Sequence, residues 1–201
     1  MTVIIDYGMG NLRSVQKALE AVGESATITC DPDRVRTASR VILPGVGAFA
    51  DAITELNRSG LAEAFRDAVK AGKPCLGVCL GLQLLFEESE EDGVHRGLGL
   101  IPGRVVRFRP SEGFKIPHMG WNTLKISEPI PLLRDLGDSP SVYFVHSYHA
   151  IARIAENVAA WADYPEPFAA VVCKENLVAC QFHPEKSQRI GLRIYANFIA
   201  R

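Results

Sequence analysis

The sequence lacks most of the features that point toward a membrane, a nucleic acid or a disulfide-stapled scaffold. None of its apolar runs approaches the roughly 18 residues that a bilayer span needs, and MTVIIDYG at the N-terminus has no basic stretch ahead of its apolar segment. No sign of charge dominates. The 22 Lys and Arg against 23 Asp and Glu give a formal net charge of -1, which argues against a polyanion-binding surface. Cysteines are few and odd in number: Cys30, Cys75, Cys79, Cys173 and Cys180 are scattered through apolar segments, which fits a reducing compartment better than a disulfide framework. A cytoplasmic placement is expected. Linkers, repeats and low-complexity tracts are also missing, so one compact domain covering residues 1–201 is expected, with enough chain to bury a sizeable core.

What is present alternates between two textures. VIID reads as a buried strand, followed by Asn11 as the N-cap of a helix whose Leu12, Val15, Leu19 and Val22 share a face, ended by Gly23. Ala26 to Thr29 and RVILPG read as further strands with apolar runs on both faces. Leu61, Phe65, Ala68 and Val69 give helical spacing stopped by Gly72; PCLGVC then reads as strand and LGLQLLFEE as helix. This β–α alternation implies a mostly parallel central sheet flanked by helices, an α/β fold. After ESEEDG, read as an acidic surface loop, come six strand-like stretches: GLGLIPGRVVRF, NTLKIS, SVYFVHSY, NVAAWADY, FAAVVC and LVACQFH. They predict added antiparallel strands. Ser187 is expected to cap a final helix carrying Ile190, Leu192, Ile194 and Phe198.

Chemistry concentrates in GVCLGLQLLF, residues 77 to 86. Gly77-Val78-Cys79-Leu80-Gly81 has the G-x-nucleophile-x-G form of a sharp strand-to-helix turn that exposes one side chain at the top of a sheet. Glycines suit it because side chains on either side would clash where strand and helix backbones approach. A thiol at a helix N-terminus faces unpaired N–H groups that favour the thiolate, and the N–H of Leu80 is placed to donate to an oxyanion beside the sulfur. Buried packing is the competing reading of Cys79, since free cysteine is among the most buried residues. Cys75, Cys79, Cys180 and His183 also offer four ligands in principle, but Cys75 and Cys180 sit inside apolar strand runs rather than in zinc knuckles, and no metal or cofactor is expected.

A cysteine nucleophile needs a histidine, and the histidine needs a group that fixes its tautomer. Gln181-Phe182-His183-Pro184-Glu185 supplies both at the end of the last strand, with Pro184 stiffening the turn so that His183 and Glu185 face the same side. Strand ends of parallel sheets are where functional crevices open. His95, His118, His146 and His149 have no carboxylate at such stiff spacing and read as surface or hydrogen-bonded structural histidines. Gly8-Met9-Gly10 opens a helix after a strand, yet Arg13 stands where a dinucleotide-binding loop needs its third glycine. Gly45-Val46-Gly47 instead ends a buried strand and can supply a second oxyanion donor.

PGVG at 44 to 47, GVCLGLQ at 77 to 83 and HPE at 183 to 185, in that order and spacing, resemble the class I (triad) glutamine amidotransferases along essentially the whole chain. More narrowly, DYGMGNLRSV, PGVGAF, IPHMGWN, YFVHSYH and QFHPEKS resemble the branch of glutaminase subunits that serve imidazole glycerol phosphate synthases in histidine biosynthesis. The resemblance implies Cys79 as nucleophile, His183 as general base and acid, and Glu185 as its orienting partner. It implies L-glutamine held by Gln83 and by the backbone around Gly45, Ser147 and Tyr148, with oxyanion donors at Leu80 and near Val46 and Gly47. Asn11, Trp121 and Lys186 would lie on a face that docks a (β/α)8-barrel cyclase as a heterodimer. Many members of the wider family carry two adjacent glycines after the proline; here Val46 intervenes, and a β-branched residue disfavours positive φ. The second oxyanion donor is therefore expected to be set only when the partner docks. A glutaminase for another synthase, of anthranilate or aminodeoxychorismate type, and a cysteine hydrolase on a flavodoxin-like sheet remain the alternatives.

Overall fold

A computed structural model describes residues 1–201. The first half follows the β–α alternation: β1 (Thr2–Ile5), α1 (Leu12–Ala21), β2 (Ala26–Thr29), α2 (Pro32–Thr37), β3 (Arg40–Gly45), α3 (Phe49–Arg58), α4 (Leu61–Lys70), β4 (Cys75–Cys79) and α5 (Leu80–Leu84). The second half is strand-rich: β5 (Phe86–Ser89), β6 (His95–Arg96), β7 (Ile101–Arg107), β8 (His118–Thr123), β9 (Lys125–Ile126), β10 (Ser141–His146), β11 (Tyr148–Ala152), β12 (Val158–Asp163), β13 (Pro167–Lys174) and β14 (Leu177–Cys180), closed by α6 (Gln188–Ile199).

Eight strands form the central sheet in the order β2-β1-β3-β4-β14-β13-β12-β9. The run from β2 to β14 is parallel, and β13, β12 and β9 extend it antiparallel. Side chains alternate between two apolar clusters, one on each face. Val3 and Ile5 enter one and Ile4 the other, and Leu177 and Ala179 oppose Val178 and Cys180 in the same way. Covering both faces explains why β1, β4 and β14 are buried throughout. Two smaller sheets, β11-β7-β5-β6 and β10-β8, stand beside the central one.

Register places the site. Gly45 ends β3 opposite Cys79 at the end of β4, and β14 pairs Cys180 with Val78 on the other side. The chain therefore leaves three neighbouring central strands at the same end of the sheet, and the residues after them, Val46, Gly47, Leu80 and His183, line one cavity.

Several sequence expectations change. LGLQLLFEE is helical only over Leu80–Leu84; Phe86–Ser89 pairs as β5 with β6 and β7, because tertiary pairing overrides a short apolar run. ESEEDG is consequently part strand, and its Glu91 turns inward. NTLKIS straddles two short strands, β8 and β9, and β8 begins earlier, at His118. α2, α3 and β11 were not anticipated. Asn11 and Ser187 occupy N-cap positions without capping the backbone: Asn11 accepts from the Ser14 hydroxyl at 2.8 Å, while Ser187 is drawn to His183 and Tyr143. Gly23 and Gly72 end their helices with φ of 86° and 77°.

Candidate active site

Cys79 has φ 56° and ψ -111°, a conformation that L-residues rarely adopt and that the surrounding backbone must enforce. Its neighbours show how. A Cβ on Gly81 would meet Leu43 O at 1.9 Å, and one on Gly77 would meet Gly81 O at 2.9 Å and Ala179 Cβ at 3.0 Å. Only glycine lets α5 lie this close to β3 and β4, and that closeness forces the turn. Cys79 itself is 6% exposed, packed against the apolar cluster on one face of the sheet while also lining a cavity.

His183 follows β14 by three residues and starts a single 3-10 turn over Pro184–Lys186. Its Nδ1 lies 2.8 Å from Glu185 Oε1, and both side chains are almost fully buried. A carboxylate can only accept, so Nδ1 carries the hydrogen and Nε2 is left for chemistry. Nε2 is buried with no hydrogen-bond partner. Burial alone pushes the imidazolium down, but the adjoining Cys79 sulfur and the Glu185 carboxylate outweigh it and raise the His183 pKa to about 10. The turn is fastened from behind: the Ser187 hydroxyl donates to His183 O at 2.7 Å and accepts from Tyr143 N at 3.0 Å, while His183 N donates to Tyr143 O at 2.9 Å. The Tyr195 hydroxyl approaches Glu185 Oε2 at 3.5 Å.

Cys79 and His183 open into one cavity of about 340 Å³, together with Val46, Gly47, Leu80, Gln83, Ser147, Tyr148 and Lys186. Leu80 begins α5, so its N–H is among those without an intrahelical acceptor. Gly47 takes the left-handed φ of 93°, and Val46 does not share it. Val46 is exposed at the cavity mouth. Gly45 is buried beneath the wall instead of lining it: a Cβ there would meet the Tyr7 hydroxyl at 2.5 Å and Leu80 Cβ at 2.9 Å. Tyr7 in turn donates to Pro44 O at 3.0 Å, tying the 44–47 segment down at its start. Gln83 spends both amide hydrogens on the protein, on Tyr148 O at 2.9 Å and Gln181 Oε1 at 3.1 Å, leaving its own Oε1 as the acceptor it can offer a ligand.

Trp121 is half exposed on the outer face of β8 with Met119, and its ring stands edge-on to Tyr143. Lys186 Nζ lies 5.8 Å from the centre of that same Tyr143 ring. Asn11 is exposed at the start of α1. Cys75 and Cys180 stay within their strands, and no three His, Cys, Asp or Glu side chains gather as a metal site.

Sequence reasoning missed three residues here. Gln181 donates weakly to Cys79 Sγ at 3.9 Å and braces Gln83. His146 lines the cavity from the end of β10. Glu91 is the only acidic residue lining the cavity; its carboxylate accepts from Phe49 N at 2.8 Å, and burial pushes its pKa up. Position in an acidic run disguised it as surface charge. A larger hollow of about 750 Å³ lies beside Glu87, Arg96, Arg104 and Arg153, but contains no nucleophile.

The whole chain is similar to known proteins. The glutamine amidotransferase class-I family matches residues 3–201. The chain is 55% identical over 203 residues to the imidazole glycerol phosphate synthase subunit HisH of Syntrophotalea carbinolica, covering 98% of both. It is 48% identical to the subunit of the same name from Salinibacter ruber, over 100% of this chain and 94% of that one. Among solved structures, PurLQS from Thermotoga maritima superposes with a TM-score of 0.78 at 20% identity, over 99% of this chain and 97% of that one. A crystal structure titled glutamine amidotransferase gives 0.73 at 21%, over 98% and 97%; at such identities these two speak for the fold alone. Matched from its first strand through its last helix, the chain belongs to the class-I glutamine amidotransferase family.

Proposed function

We propose that this chain is the glutaminase subunit of an imidazole glycerol phosphate synthase, hydrolysing L-glutamine at Cys79 and passing the ammonia to a (β/α)8-barrel cyclase in a cytoplasmic heterodimer. The observation that carries the reading is the meeting of the strained Cys79 turn with the His183–Glu185 pair in one cavity, in a chain similar over its whole length to subunits bearing that name.

The chemistry follows from the groups present. Cys79 as thiolate attacks the side-chain amide carbon of glutamine, and the negative charge passes to the amide oxygen. Leu80 N–H and a donor from the Val46–Gly47 segment stabilise that oxyanion. His183, which holds its proton firmly, delivers it to the departing nitrogen, so ammonia leaves and a cysteinyl thioester remains. Water then adds to the thioester as His183 takes a proton from it, and glutamate is released with the thiolate restored. Glu185 keeps the imidazole in the tautomer that presents Nε2 throughout. Glu91 suits the α-ammonium of the substrate, since no other acid lines the cavity.

Ammonia released into water takes up a proton and loses its nucleophilicity, so the product needs a dry exit to its acceptor. The exposed Met119 and Trp121, next to Tyr143 and Lys186, offer an apolar face with one cation at the cavity mouth for the cyclase to cover. Docking there would also set the Val46–Gly47 donor. Glutaminase turnover measured with and without the purified cyclase tests this: stimulation of about 10²- to 10³-fold, the usual worth of one oxyanion donor, is expected. Equal rates would overturn the partner-set donor, and failure of the two chains to associate would overturn the partner.

A further inference from the structure

The β10-β8 ribbon ends in a pair of buried histidines that the catalytic scheme does not use. His146 and His118 lie directly opposite each other in its antiparallel register. His146 lines the cavity; His118 does not. His146 Nδ1 is 2.8 Å from Tyr148 O, the same carbonyl that accepts from Gln83 at 2.9 Å. Beyond it, His146 Nε2 is 3.1 Å from His118 Nδ1, and His118 Nε2 faces Asn122 Nδ2 at 3.4 Å.

The direction of every proton follows. A carbonyl only accepts, so His146 Nδ1 carries a hydrogen; a neutral imidazole has only one, so His146 Nε2 accepts and His118 Nδ1 donates. His118 Nε2 is then an acceptor, facing the Asn122 amide, which is itself fixed by donating to Asp163 O at 3.0 Å. The surroundings favour neutrality. His118 stacks on Tyr164 at 4.0 Å and on Phe144 at 4.9 Å, while Phe168 and Phe108 stand 5.0 and 5.1 Å from His146. Burial lowers the pKa of His118 to about 4 and of His146 to about 3. In such a cage a hydrogen bond is strong and a lost one is not replaced by water.

We propose that His118 and His146 form a one-way hydrogen-bond relay that fixes the Ser147–Tyr148 backbone, making His118 a positioning residue for glutamine binding although it does not line the cavity. The proposal rests on the reading of the Cys79 cavity as the glutamine site. Apolar packing at position 118 would be served equally by phenylalanine; what phenylalanine lacks is the donor that locks the tautomer of His146. Without it His146 can move its hydrogen to Nε2 and turn a lone pair against Tyr148 O.

The test compares His118→Phe with His118→Asn, whose amide nitrogen falls near the position of Nδ1, in the full chain with its cyclase. For His118→Phe, KM for L-glutamine rises about 3- to 10-fold, the size of one neutral hydrogen bond, while kcat stays within about twofold. His118→Asn restores the KM. Unchanged KM in the Phe variant, equal behaviour of Phe and Asn, or a fall in kcat at constant KM would each overturn the relay. Should His118→Phe fail to fold, His146→Leu against His146→Asn asks the same of the Tyr148 bond, with Asn predicted to keep the lower KM. Cys79→Ala separates the two levels: if it still hydrolyses glutamine the cavity reading fails, whereas an inactive Cys79→Ala beside an unchanged His118→Phe sinks only the relay.

Discussion

Gly81→Ala adds one methyl group where α5 lies against β3, and the structure sets the size of the consequence. The new Cβ meets Leu43 O at 1.9 Å, and contacts under 3.0 Å are essentially never seen, so α5 or β3 has to move by about 1 Å. β3 is held in register on both sides, Leu43 opposite Gly77 of β4 and the strand's first half against β1. The helix therefore yields and carries Leu80 and Gln83 with it. Overpacking of this kind costs about 1–3 kcal/mol, which for a chain of this size lowers Tm by roughly 2–10 °C. Displacing catalytic groups by about 1 Å costs on the order of 10²-fold in rate. Gly72→Ala is the control: nothing lies within 4 Å of its Cβ, and only the left-handed φ of 77° is strained, at about 1–2 kcal/mol. Thermal melting and glutaminase turnover of the pair decide the matter. Wild-type kcat and Tm in Gly81→Ala, or an equal loss of turnover in Gly72→Ala, would refute the argument that close backbone approach creates the turn.

Glu185→Gln keeps the side-chain shape but removes the charge that holds the His183 tautomer, and kcat/KM for glutamine is expected to fall about 10²- to 10⁴-fold; an undiminished rate would remove Glu185 from the mechanism. Tyr7→Phe leaves the buried Pro44 carbonyl without its donor, a loss of about 1–3 kcal/mol visible in a urea midpoint, with slower turnover because the 44–47 segment loosens. Acid should destabilise the fold through His118 and His146. Both are lowered from 6.5, to about 4 and about 3, so the unfolded chain takes up protons that the folded chain refuses. The contribution of this pair is fully present above pH 6.5 and is lost as pH falls toward 4, by up to roughly 3 kcal/mol for His118. The urea midpoint followed against pH checks this, and a curve no shallower in His118→Phe than in the wild type would contradict it.

Much of the fold was legible because its signals are local. Continuous apolar runs such as VIID and RVILPG mark strands covered on both faces, and Gly23 and Gly72 mark helix ends with the φ that only glycine takes easily. The Cys79 turn and the His183-Pro184-Glu185 step were legible for the same reason, since each is stiff within five residues. What stayed hidden depends on distant pairing. Phe86–Ser89 looks helical until β6 and β7 claim it, and the strand then swings Glu91 toward Phe49 N and into the cavity. Gln181 and His146 carry no sequence signal, because their roles exist only once Gln83 and Tyr148 are brought beside them. Gly45 was expected to serve glutamine through its backbone; that its lack of a side chain makes room for Tyr7 and Leu80 is visible only once the chain is folded.

The central claim is that ammonia arises at Cys79 and nowhere else. Reconstituting Cys79→Ala with the cyclase and supplying either L-glutamine or an ammonium salt tests it in one assay. Product formation from glutamine should vanish while formation from ammonium continues at the wild-type rate. Glutamine-dependent product formation by Cys79→Ala would contradict the account.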